Sequence, residues 1–232
     1  MCTNPIPLYS LLLAGGLLLS GSAAQSQQPG AGQIQAMAAA QMRKNKEELR
    51  EYSWKQRTEL DLKGEEKSSR VDFLRYDSQG QLVKTPLSAP PPPQEKSGRL
   101  VGRIKAKKVD EMKDYLERLM ERVRRYTTFS GSDPQQIMQK ATLTTGQDAF
   151  VIHIKDYVIP GDSVDISLDP ASRKIRQFKV ATSLDDDPVN VVADFQELPD
   201  GSTYMSQATV DSPKKELQIR VTSYDYTKAP GS

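Results

Sequence analysis

Apolar and polar positions alternate with period two along most of this chain, and two stretches of helical period interrupt the alternation. Between Tyr52 and Lys63, Tyr52, Trp54, Gln56, Thr58, Leu60 and Leu62 share one side, opposite Lys55, Arg57, Glu59, Asp61 and Lys63. That is the pattern of a long half-buried strand. Gly64, Glu65 and Glu66 mark a turn. A second run through Val71, Phe73 and Tyr76 leads to Asp77-Ser78-Gln79-Gly80, a turn signal ahead of a third run, Gln81 to Thr85. After residue 149 the alternation returns in six runs. They are Phe150, Ile152, Ile154; Val164, Ile166, Leu168; Phe178, Val180, Thr182; Val189, Val191, Ala193, Phe195; Tyr204, Ser206, Ala208, Val210; and Leu217, Ile219, Val221. Pro160-Gly161-Asp162, Asp169-Pro170-Ala171-Ser172, Asp185-Asp186-Asp187-Pro188, Leu198-Pro199-Asp200-Gly201 and Asp211-Ser212-Pro213 separate them. Short strands at regular spacing with turn residues between them predict an antiparallel meander.

Helical spacing occurs first at Ile34, Met37, Ala38, Gln41, Met42 and Leu49, predicting a helix near 34–50. The strongest helix is predicted from Lys108 to Tyr126. There Val109, Met112, Tyr115, Leu116, Leu119, Met120, Val123 and Tyr126 recur on one side, among Glu and Arg residues. Asp133-Pro134 reads as an N-cap and first-turn proline for a short helix through Ile137, Met138 and Ala141. Pro86 and Pro90 to Pro93 cannot join a ladder, so 86–97 is expected to be an exposed Pro-rich spacer. The expected fold is α+β: a curved antiparallel sheet, open and barrel-like, with helices packed on its concave face.

The N-terminus changes the biological setting. Leu8, Leu11, Leu12, Leu13, Leu17, Leu18 and Leu19 form an apolar run too short to span a bilayer. Small residues Ser20, Gly21, Ser22, Ala23 and Ala24 follow, so residues 1–24 read as a secretory signal peptide cut after Ala24. A flexible lead (25–33) and one exported domain (34–228) complete the expected organisation, with a periplasmic or secreted location. Cleavage would also remove Cys2, the only thiol. Disulfides, Cys metal sites and Cys nucleophiles are then excluded.

The remaining chemistry is sparse. His153 is the only histidine, on the polar side of its strand, and no G-x-S-x-G elbow is present. The acidic run Asp185 to Asp187 lacks the alternating pattern of a calcium loop and reads as a turn. No nucleotide-binding glycine motif occurs. Thus neither a cofactor nor a catalytic residue is expected. Net charge is +2, from an excess of bases before residue 128 and of acids after it. The basic residues of the second helix are interleaved with Glu, and export separates the chain from cytosolic DNA, so nucleic acid is not an expected partner. What remains is apolar surface: Tyr52, Trp54 and Phe73 on the first strands, Met112, Leu116 and Met120 on the helix. These six are the candidate ligand-binding residues, for an apolar ligand such as a lipid or acyl chain. A membrane-surface or envelope-protein contact is the alternative.

The order of elements resembles the periplasmic lipoprotein-carrier (Lol carrier, LolA/LolB-like) superfamily. The resemblance rests on the exported leader, an N-terminal helix, the strand through Tyr52-Ser53-Trp54-Lys55, a Gly-turned meander and a connecting helix. A last meander with Asp169-Pro170 and Pro199-Asp200-Gly201 turns completes it. It implies an unclosed β-barrel whose apolar concave side, covered by helices, shelters acyl chains, with a lipid or lipoprotein acyl chain as partner. It carries over no individual residue.

Overall fold

In a computed structural model, described for residues 40, 44, 45, 47–87, 99–127, 141–146 and 148–228, the alternating segments all join one sheet. Its strands are β1 (Tyr52–Leu62), β2 (Glu65–Tyr76), β3 (Leu82–Pro86), β4 (Ala141–Thr145), β5 (Phe150–Lys155), β6 (Ser163–Leu168), β7 (Ile175–Leu184), β8 (Asp187–Glu197), β9 (Thr203–Ser212) and β10 (Leu217–Lys228). They lie in the order β3-β2-β1-β10-β9-β8-β7-β6-β5-β4, antiparallel throughout. Only the pairing of β1 with β10 joins distant parts of the chain. The ends β3 and β4 do not pair with each other, so the sheet is not closed. One long helix, α1 (Arg99–Thr127), crosses it.

The register lines up apolar side chains in rows across the sheet. One row runs Leu60, Ile219, Val210, Val191, Val180, Val164, Ile154 and Ala141; the next runs Thr58, Val221, Ala208, Ala193, Phe178, Ile166, Ile152 and Leu143. These rows and α1 form the core, in which Tyr115, Leu119, Val123 and Tyr126 are buried.

Two tyrosine hydroxyls set the helix direction. Tyr115 shares a hydrogen bond of 2.7 Å with Ser212 at the end of β9, and Tyr126 donates to Asp162 at 2.7 Å, just before β6. Tyr126 is also 2.7 Å from Thr182 Oγ1 on β7. Eleven helical residues rise about 17 Å, and three strand spacings cover about 14 Å. The helix therefore runs across the strands, over the end where β9 turns into β10 and β7 into β8. Asp162 is buried, and among the described residues it makes no ion pair. It accepts backbone N–H bonds from Tyr157, Val158 and Ile159 at 2.6, 2.9 and 2.8 Å, which satisfies the charge locally.

Three expectations are corrected. Pro86 ends β3 opposite Asp72 and does not open the spacer, because at a sheet edge its missing N–H breaks no ladder bond. Ala141 belongs to β4 and not to a helix, because the β-branched Thr142, Thr144 and Thr145 pair with β5; residues 134–140 lie outside the described residues. Tyr204 leaves the apolar row of β9. A register shift between Asp194 and Phe195 places Met205 opposite Phe195, and Tyr204 opposite Gln196. The leader, the lead and most of the Pro-rich spacer also lie outside the described residues.

Candidate functional site

The six candidate residues divide between opposite ends of the sheet. Tyr52 and Trp54 lie at the start of β1, ten and eight residues from Leu62 at the helix end of the sheet; at about 3.3 Å per residue the separation from Tyr52 approaches 33 Å. Both are buried in an aromatic cluster. The Trp54 ring stacks on Tyr226 at 5.3 Å and 6°, Tyr76 tilts against it at 5.8 Å, and Tyr204 meets Tyr226 at 4.4 Å. A bulge makes this packing feasible. Asp225 takes φ 55, and the β1–β10 register slips between Ser53 and Lys55. The slip brings Tyr226 to the side of Ser223 and Val221 despite the odd spacing. Phe73 is not part of the cluster. It pairs with Lys55, whereas Leu74 pairs with Trp54, so Phe73 lies on the opposite face.

Polar contacts pin the aromatic end. Tyr52 Oη donates to Asp200 Oδ2 at 2.6 Å, and Lys228 Nζ lies 2.8 Å from Glu51 and 3.7 Å from Asp200. The Tyr52 hydroxyl, helped by the Ser202 N–H, holds the Asp200 carboxyl down at about 2. Asn45, in the helical segment before β1, donates to the Thr203 carbonyl at 2.5 Å, and its own carbonyl accepts the Thr203 N–H. The amide mimics a strand neighbour and fastens that segment to β9. Nothing in the sequence pattern marks Asn45 for this role.

At the other end, Met112, Leu116 and Met120 lie on α1, whose apolar arc is wider than its contact with the core. At 100° per residue Tyr115, Leu119, Val123 and Tyr126 point into the core, while Val109, Leu116 and Met120 fall to one side of them. Leu116 is half-buried, and Met120 and Val109 are 42% and 52% exposed.

The two flanks of α1 differ in chemistry. A cleft of about 520 Å³ has Lys108, Glu111, Asp114, Arg118, Asp185 and Lys215 on its walls, with Met112 and Tyr115 beneath. It opens toward the β7–β8 turn. The other flank carries an open groove of about 400 Å³, lined by Leu116, Met120, Glu117, Glu121 and Arg124. Because the charged cleft takes the turn side, the Leu116 side faces back along the strands. There the sheet presents Thr58, Val221 and Ala208, with Phe195 and Met205 beyond, all half-buried.

The polar residues weighed in the sequence are accounted for by local pairing. His153 Nδ1 is 2.8 Å from Asp165 Oδ1, its cross-strand neighbour on the outer face. Asp185 and Asp186 form a two-residue hairpin turn with φ 50 and 60. Arg118 binds Asp185 at 2.5 Å, and Lys214 and Lys215 lie 3.6 and 3.4 Å from Asp187. Among the described residues no group of three or more His, Cys, Asp or Glu is placed to hold a metal ion.

The fold resembles that of lipoprotein-carrier proteins in outline. Similar solved structures include a DUF1329 family protein from Desulfovibrio piger, 8% identical, covering 88% of this chain and 95% of that one at a TM-score of 0.44. A LolA superfamily protein from Nitrosomonas europaea is 8% identical over 84% and 94% of the two chains, with a TM-score of 0.38. An outer membrane lipoprotein-sorting protein domain from Vibrio parahaemolyticus is 12% identical over 88% and 95%, with a TM-score of 0.39. No family model and no curated protein matches the sequence. Residue-level chemistry has to be read from this chain alone.

Proposed function

We propose that this chain is an exported, non-catalytic protein of the bacterial envelope that shelters an apolar chain, such as a lipid acyl chain, on the concave side of its sheet. The observation that carries this reading is the surplus apolar arc of α1. Leu116, partly buried against the core, continues into the exposed Met120 and Val109, and Val221, Ala208, Phe195 and Met205 on the sheet are likewise only partly buried. Apolar side chains that flank a concave floor remain partly wetted unless a ligand covers them, and covering them is favourable by about 25 cal/mol per Å². Methionine suits such a surface because its unbranched thioether adapts to ligands of varied shape. Tyr52 and Trp54 act in this reading as the rigid aromatic end of the sheet, and Phe73 takes no part.

A fluorescent polyene fatty acid tests it. The protein should give saturable fluorescence enhancement that an unlabelled fatty acid reverses. Met120→Lys and Val109→Lys, both on exposed positions, should weaken binding at least about tenfold while leaving the far-UV circular dichroism unchanged. Saturable binding that neither substitution alters would reject this groove, and the absence of saturable binding would reject the function.

A further inference from the structure

The β6–β7 turn places one cation over the apolar face of the sheet. Arg173 takes φ 62 there, and its guanidinium lies over the Phe150 ring of β5, 4.0 Å from the ring centre. Phe150 pairs with Leu168 and Leu168 with Ile175, on the same face as Ile152, Ile166 and Phe178 and at the end of the sheet away from α1. Arg173 therefore folds back from the turn onto the core-facing side. The other cations of the turn are matched. Lys174 Nζ lies 2.5 Å from Glu197 Oε2 and 2.8 Å from the Gly201 carbonyl, and Arg176 bonds Asp169 and the Asp148 carbonyl. Among the described residues Arg173 forms no ion pair and no side-chain hydrogen bond, and its Nη1 is buried without an acceptor. A charged donor withheld from water and left unpaired is costly, and the Phe150 ring offers the cation its face but no oxygen. We propose that Arg173 anchors the anionic head, a carboxylate or a phosphate, of an amphiphile whose apolar chain lies along this end of the sheet.

The inference rests on the lipid reading above and adds to it the charge of the ligand and the position of its polar end. Arg173 is partly exposed, and its planar fork meets two oxygens of one head group at once. The apolar side chains that lead away from it, Phe150, Ile175, Phe195 and Met205 on β5, β7, β8 and β9, are only partly buried. Four strand spacings give this strip a length of about 19 Å. None of the paired residues facing the core on β5, β6 and β7 carries a charge, so an anion on this face meets Arg173 as its counter-charge. In apolar surroundings that attraction is screened less than in water.

Competition against the fluorescent polyene fatty acid tests the proposal. The wild type should bind a long-chain fatty acid and the matching alkyl phosphate at least about tenfold more tightly than the uncharged methyl ester of the same chain. Either head supports the anchor, and the tighter of the two identifies the source of the anion. Arg173→Gln should abolish this preference while keeping the ester affinity within about twofold, and Arg173→Lys should restore part of it. The ester thus separates a lost anchor from a damaged fold. Equal affinity of acid and ester in the wild type overturns the proposal, as does a preference that survives in Arg173→Gln or an equal loss of both ligands. Displacement of the probe by inorganic phosphate or butyrate would replace the amphiphile by a free anion and overturn it too. If neither acid nor ester binds, the lipid reading itself fails and takes the anchor with it.

Discussion

Replacing Tyr126 with Phe removes one oxygen from the C-terminal end of α1 and tests whether that oxygen anchors the helix to the sheet. The ring is 1% exposed, so its packing should survive the substitution. What disappears is a bond to the buried Asp162 carboxylate and one with the Thr182 hydroxyl, both at 2.7 Å. A hydrogen bond to a charged group contributes about 1.5–3 kcal/mol and a neutral one about 1. Asp162 keeps its three backbone donors, so no charge is left unsatisfied, and the expected loss is about 2–3 kcal/mol. With a urea slope of about 2 kcal/mol per molar, the midpoint should fall by roughly 1 M at unchanged slope. Trp54 fluorescence reports from the aromatic end of the sheet and far-UV circular dichroism from the backbone as a whole, and coincident transitions would establish two-state unfolding. A second reading comes from pH. Burial, chiefly, pushes the Tyr126 hydroxyl up to about 12, against an unfolded value of 10.0. The folded state therefore holds that proton more tightly, and this share of stability is complete below pH 10 and is lost as pH rises toward 12. The gap between wild type and variant should close over that interval. A midpoint shift under about 0.3 M, or a gap constant to pH 12, would refute the anchoring argument.

Two further outcomes follow from the turns. Asp186 sits at φ 60, where a residue with a Cβ is strained, and its side chain takes no part in the ion pairs of Asp185 and Asp187. Asp186→Gly should therefore raise stability by about 0.5–1 kcal/mol in urea unfolding, and destabilisation would contradict the strain argument. Asp200 is held at about 2, chiefly by the Tyr52 hydroxyl, so its contribution is present above the unfolded value of 3.8 and is lost as pH falls toward 2. Asp200→Asn should flatten that acid limb of the stability curve, and an unchanged limb would assign it to other carboxylates.

Most of the strands were legible because alternation is a local property. The side chains of a strand reverse face at every residue, so the core positions of β5 to β8, such as Ile152, Ile166, Val180 and Val191, can be counted off directly. Such a count keeps its phase only while the strand is unbroken. The bulge at Asp225 and the slip at Phe195 each add a residue, which is why Tyr226 joins Trp54 and Tyr204 leaves its row. In β2 the alternation of Val71 and Phe73 marks the wrong face, because the register puts Leu74 beside Trp54 and Phe73 beside Lys55.

The candidate site depended more heavily on tertiary structure. Sequence determined that α1 is amphipathic and that its apolar arc includes Met112, Leu116 and Met120, because helical periodicity depends only on spacing. It could not determine how much of that arc the core would cover, since coverage depends on the angle and height at which the helix crosses the sheet. Tyr115 and Tyr126 fix that crossing through Ser212, Thr182 and Asp162, partners 36 to 97 residues away in the chain. The resulting placement buries Leu119 completely and leaves Met120, one residue further on, beside the groove.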